Sequence, residues 1–141
     1  MTESDMFEAL SSEAFKTAKA RGQYHMLPVL ASNPSAKMLN SIAIKKGINH
    51  MIGEAYEVSE AYSRFTHHTS EKLREMLSSI DMKDTEHYVE QYDKSLHNSV
   101  DDEIADVIIN ALSVWKALGR DGDIMFYILK AKMLYNQMRE D

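Results

Sequence analysis

The sequence predicts an all-α fold, and three observations carry that expectation. Only two prolines and five glycines interrupt the 141 residues. Apolar residues recur at intervals of three and four, and no segment reads convincingly as a strand. A chain of this length holds one hydrophobic core, so residues 1–141 are read as a single domain, a helical bundle with further architecture supplied by oligomerisation.

The elements follow in order. A first helix runs from about Ser4 to Arg21, with Phe7, Leu10, Ala14 and Ala18 on one face and Gly22 as its stop. Gln23 to Pro34 reads as a loop, and a long second helix covers roughly Ser35 to Phe65. The region from Thr66 to Asn98 is the most polar part, its charges read as a solvated face, and two shorter helices lie between Thr69 and Asn98. The most apolar helix spans Ser99 to Leu118: the Ser99 hydroxyl serves as N-cap, Asp101 and Asp102 complement the positive end of the dipole, and Gly119 closes it. A last helix from about Asp121 to Arg139 carries Ile124, Ile128, Leu129 and Met133 and completes the bundle.

Composition narrows the function classes. The chain is 44% hydrophobic and 27% charged, with no run long and apolar enough for a membrane span. Met1 leads into Glu3 and Asp5 and not into a basic patch followed by an apolar stretch, so a cytoplasmic protein without a membrane partner is expected. Cysteine is absent, so any metal must be held by oxygen or imidazole. The net charge of −6 argues against nucleic acid as a partner, because phosphate-backbone binding needs clustered Lys and Arg.

The chemistry is concentrated on two helices. With about 100° per residue, Glu103, Asp106, Asn110 and Ser113 fall within a stripe of about 80°. Ile104, Val107, Ile108, Ala111, Leu112, Val114, Trp115 and Leu118 fill a broad apolar arc, the pattern of a helix buried on most of its circumference. Acids beside a core cost several kcal/mol unless paired, hydrogen-bonded or metal-bound. On the second helix Glu57 and Glu60 share a face with His50, Gly53 and Arg64, and Gly53 offers room for a close backbone approach. Side by side, the two helices would bring together Glu57, Glu60, Glu103 and Asp106, an all-oxygen set suited to Mg²⁺. On the last helix Lys132, Asn136 and Arg139 lie at i, i+4 and i+7, a candidate phosphate clamp. Acids for a metal and cations for a polyphosphate together point to phosphoryl or nucleotidyl chemistry. Trp115 reads as core packing, and Tyr24, beside the Gly22 turn, is the better candidate for base contact.

Three segments, Glu57-Val-Ser-Glu60, Glu103-Ile-Ala-Asp106 and Lys132-Met-Leu-Tyr-Asn136-Gln-Met-Arg139, resemble the ExxE, ExxD and K-x-x-x-N-x-x-R blocks of the MazG-like all-α nucleoside triphosphate pyrophosphohydrolases. The resemblance implies Mg²⁺, with Mn²⁺ as the substitute ion, held by Glu57, Glu60, Glu103 and Asp106. It implies hydrolysis of an NTP or dNTP to the monophosphate and pyrophosphate by attack of a metal-activated water on the α-phosphorus, with one of the four acids, or Glu54, orienting the water. Lys132 and Arg139 would neutralise phosphates, Asn136 would support them, and Asn110 stands where many members carry Arg. The family builds its sites from more than one subunit, which implies a homodimer or homotetramer. The interval between Glu60 and Glu103 is longer than in compact members and implies an extra helical element there. A dUTPase-like enzyme and a phosphoribosyl-ATP pyrophosphohydrolase share the metal chemistry, and a non-catalytic helical oligomerisation protein is a third reading. A di-iron bundle would want Glu-x-x-His pairs on two helices, which the chain lacks.

Overall fold

The computed structural model describes residues 1–22, 34–64, 68–79 and 83–139. Six helices occupy them: α1 (Glu3–Ala20), α2 (Pro34–Arg64), α3 (Ser70–Ser78), α4 (Thr85–Ser95), α5 (Val100–Ala117) and α6 (Gly122–Met138). No strand occurs among the described residues. The all-α expectation holds, and two helices occupy the long interval between Glu60 and Glu103. No helix among the described residues is long and apolar enough to cross a membrane.

Local chemistry explains most boundaries. Thr2 starts α1 with a reciprocal capping box, its hydroxyl accepting the Asp5 N–H at 3.2 Å while the Asp5 carboxylate accepts the Thr2 N–H at 3.0 Å. Thr69 accepts the Lys72 N–H at the start of α3, and Asp84 accepts the His87 N–H at the start of α4. Ser99 caps α5 as expected, accepting the Asp102 N–H at 3.1 Å. Gly22 and Gly119, which follow α1 and α5, have φ of +92° and +80°, a left-handed conformation that terminates a helix with little strain only at glycine.

The chain divides into two compact units, one of residues Met1–Met51 and Ile108–Asp141, the other of residues Ile52–Val107. Both α2 and α5 begin in one unit and finish in the other.

In the first unit α1 packs against α6. The Phe7 and Phe126 rings meet with centroids 5.8 Å apart. Ser11 is fully buried and donates its hydroxyl to the Phe7 carbonyl at 2.6 Å, so its polar group is satisfied within its own helix. Gly122 faces it: a Cβ there would lie 2.7 Å from Ser11 Cβ and 2.8 Å from the Phe7 carbonyl oxygen, so only glycine admits this approach. Ala18 is packed by Phe15, Ala43 and Ala117. The expected α1 face needs one correction, since Leu10 is 59% exposed and Ser11 takes the buried position. The seam runs Phe7, Ser11, Ala14 and Ala18, spacings of four, three and four, because small residues let the helices approach closely.

Trp115 is half-buried, and its indole N–H donates to the Asp121 carbonyl at 2.8 Å, with the Arg120 guanidinium 4.8 Å above the ring. It pins the α5–α6 turn. The expectation that α5 is buried around most of its circumference is overturned for the single chain: Ile104, Ile108, Ile109 and Leu118 are exposed, while Leu112, Ser113 and Val114 are buried. On α6 the apolar residues Ile124, Ile128, Leu129, Met133 and Leu134 are exposed as well. The hydropathy pattern marks apolar faces without saying whether this chain or another surface covers them.

In the second unit Ala61 of α2 and Leu96, just after α4, are buried, as are Ser99 and Glu103 at the start of α5. The Tyr88 and Tyr92 rings on α4 lie 6.5 Å apart. Asn98, in the α4–α5 connection, has φ +65°, a left-handed conformation that asparagine tolerates better than other side-chain-bearing residues.

Candidate metal centre

Four acidic residues of α2 and α5 lie in the second unit close enough to perturb one another. Glu54 and Glu57 are one turn apart on α2, and Glu103 and Asp106 one turn apart on α5. Glu54, Glu57 and Glu103 each present a carboxylate oxygen, and those three atoms lie within 4.8 Å of one another. Two full charges at that separation repel by roughly 3–4 kcal/mol at an effective dielectric of 20. Such a grouping persists only if protons, hydrogen bonds or a cation offset the repulsion.

Protonation patterns register the crowding. Burial, followed by the hydrogen bond to Glu57 and the charges of Glu57, Asp106 and Glu103, pushes Glu54 up to about 7. Two carboxylates can share a hydrogen bond only when a proton lies between them. Glu103 is also raised above its ordinary value, first by burial and then by Glu57, Asp102 and Asp106. Glu103 is 8% exposed, and its Oε2 is a buried atom with no hydrogen-bond partner. A buried carboxylate oxygen left without a donor is costly.

A pocket of about 280 Å³ opens beside the cluster, lined by Glu57, Glu60, Ala61, Arg64, Asn98 and Glu103. It lies below the roughly 300–1,000 Å³ of pockets that enclose a drug-sized ligand, yet has room for several waters at about 30 Å³ each. Arg64 contributes positive charge to the lining, 4.0 Å from Glu60.

Of the four expected acids, Glu57 and Glu103 present oxygens to the grouping, and Glu54 joins them. Glu57 and Glu103 are central. Glu54, expected only as a neighbour able to orient water, sits among the potential ligand atoms. Glu60 lines the pocket and pairs with Arg64, and Asp106 lies near enough to act on both Glu54 and Glu103. The signal for Glu54 was its i, i+3 spacing from Glu57. Asn98 was missed because the sequence places it in a connection. The expected close approach at Gly53 is not found: it is exposed, and a Cβ there would meet nothing within 4 Å. The absence of imidazole and thiolate from the cluster suits a hard divalent cation.

The remaining expected residues belong to the first unit. Lys132 and Asn136 are exposed on α6, with the Lys132 ammonium 4.7 Å over the Tyr135 ring. Arg139 is the C-cap residue, its N–H still bonded to the Tyr135 carbonyl at 3.0 Å, with ψ of 146° turning the chain out of the helix after it. Asn110 is half-buried on α5, and His50 is exposed. Tyr24 and the loop from Gln23 lie outside the described residues. Comparison with family models, curated proteins and solved structures yields no match.

Proposed function

We propose that the chain is a Mg²⁺-dependent pyrophosphohydrolase of the MazG-like kind, converting an NTP or dNTP to its monophosphate and pyrophosphate. The observation that carries this reading is the convergence of Glu54, Glu57 and Glu103 around a buried Glu103 oxygen without a hydrogen-bond partner. That donor set fits Mg²⁺, which binds through a few carboxylates together with water and substrate phosphates, and Mn²⁺ would substitute.

Glu57, Glu103 and Glu54 would hold the ion, with Glu60 and Asp106 completing the acidic surroundings. When bound, the ion supplies neutralisation of phosphate charge and a lowered pKa for coordinated water. One of the acids would orient the attacking water. Lys132, Asn136, Arg139 and Asn110 remain candidates for substrate contacts, and exposed apolar residues on α5 and α6 support assembly into a homodimer or homotetramer.

The test is to incubate the protein with each of the eight common NTPs and dNTPs, with Mg²⁺ and with EDTA, and identify the products. Metal-dependent release of pyrophosphate and monophosphate that disappears in Glu60→Gln and Glu103→Gln is the expected result. Failure to cleave any nucleotide in the panel would remove the (d)NTP reading, and phosphoribosyl-ATP would be the next substrate to try.

A further inference from the structure

We propose that Tyr92 is a positioning residue for this centre, acting through Asp102 to hold Glu103 and Asn98 in place. This inference rests on the metal-binding reading of the acidic cluster. It uses a polar contact that the proposed chemistry leaves unexplained.

The Tyr92 hydroxyl, in the last turn of α4, donates to Asp102 Oδ1 at 2.5 Å. The other oxygen of the same carboxylate accepts the Asn98 backbone N–H at 2.9 Å. The Asp102 N–H in turn donates to Ser99 Oγ at 3.1 Å, and the Glu103 N–H to the Ser99 carbonyl at 3.0 Å. One carboxylate therefore ties the end of α4, the connection and the first turn of α5 together. The Asp102 side chain is only 12% exposed, so water competes weakly for these bonds.

The location gives the clamp its consequence. Glu103 follows directly on the first residues of α5, whose backbone N–H groups have no intrahelical carbonyl to bond and where fraying begins. A ligand there is only as well placed as the cap beneath it. Asn98, held at φ +65° and lined up by the same carboxylate, forms part of the pocket wall beside Glu57 and Glu103. Partners that orient ligands without touching the ion commonly alter metal affinity by about 10- to 100-fold. Burial and the adjacent Asp102 carboxylate hold the Tyr92 phenol well above its ordinary pKa, so it remains a donor throughout the working range.

The test is a Mn²⁺ titration of the full chain, with free Mn²⁺ counted by electron paramagnetic resonance, for the wild type, Tyr92→Phe, Asp102→Asn and the double variant. Thermal unfolding of each is measured alongside, and each titration is run well below the transition so that only folded protein is compared. Tyr92→Phe is expected to weaken Mn²⁺ binding about tenfold, with the double variant no weaker than Asp102→Asn alone, as for residues acting in one chain of contacts. Unchanged Mn²⁺ affinity in folded Tyr92→Phe would overturn the proposal, as would fully additive losses in the double variant. Should Tyr92→Phe fail to fold, Asp102→Asn decides by the same criterion, unchanged affinity overturning the proposal. A wild type that binds no Mn²⁺ would overturn the metal centre itself, a result distinct from a centre that binds and ignores Tyr92.

Discussion

The carboxylate of Glu8, midway along α1, accepts the backbone N–H of Gly122, the first residue of α6. The same carboxylate accepts the Asp123 N–H at 3.3 Å and the Lys116 ammonium at 2.6 Å. A side chain from another helix thus performs the N-capping that Asp121, the local cap residue, does not. The Lys116 ammonium, with the Gly122, Ser12 and Asp123 donors, lowers Glu8 to about 2 against the opposing effect of burial.

Stability should follow that depressed pKa. Because the unfolded chain takes up the Glu8 proton near the ordinary 4.5 and the folded chain only near 2, the contribution is complete above pH 4.5 and fades as pH falls through about 2. Urea unfolding across this window should reveal the loss in the wild type and a flatter profile in Glu8→Gln. At pH 7 the variant should be less stable by about 1–2 kcal/mol, a figure discounted because over a third of the side chain meets solvent.

Two glycine substitutions should act in opposite directions. Gly122→Ala drives a methyl group into the Ser11 and Phe7 backbone contact and should destabilise the fold by about 1–3 kcal/mol. Gly53→Ala adds a methyl group to an exposed helical position with open space around it, and should stabilise by roughly 0.5–1 kcal/mol. Denaturant midpoints at constant m-value would measure both. Equal losses would mean that Gly53 also has a close neighbour.

Divalent cation and pH should be coupled at the acidic cluster. Glu54 is raised from 4.5 to about 7, so the folded state holds its proton longer than the unfolded state does. Stability from this group is complete below pH 4.5 and is lost as pH rises through about 7. A cation that binds the deprotonated cluster would restore it, so Mg²⁺ should raise the Tm distinctly at pH 8 and little at pH 5. Glu54→Gln should shrink the difference, as read by thermal scans with Mg²⁺ and with EDTA.

Self-association should be measurable. Ile124, Ile128, Leu129, Met133 and Leu134 are exposed on α6, and an apolar surface of this kind usually marks an interface. Sedimentation or light scattering should give a dimer or tetramer, and Met133→Glu with Leu134→Lys should shift it toward monomer. A wild type that sediments as a monomer at high concentration would remove the oligomer from the proposed function.

What the sequence determined by itself is local. Helix existence, and boundaries near the Ser99 cap and the Gly22 and Gly119 stops, depend on hydrogen bonds and φ preferences within a few residues. The helical period likewise put Glu57 and Glu60 on one stripe and Glu103 and Asp106 on another. Tertiary structure decided what depends on distance in the chain: that Glu54 joins Glu57 and Glu103, that Ser11 replaces Leu10 at the α1 seam, and that Tyr92 grips Asp102. Glu8 lies 114 residues from the Gly122 N–H that it caps, a pairing on which no local propensity bears. Periodicity specifies the direction in which a side chain leaves its helix, while packing specifies what it meets.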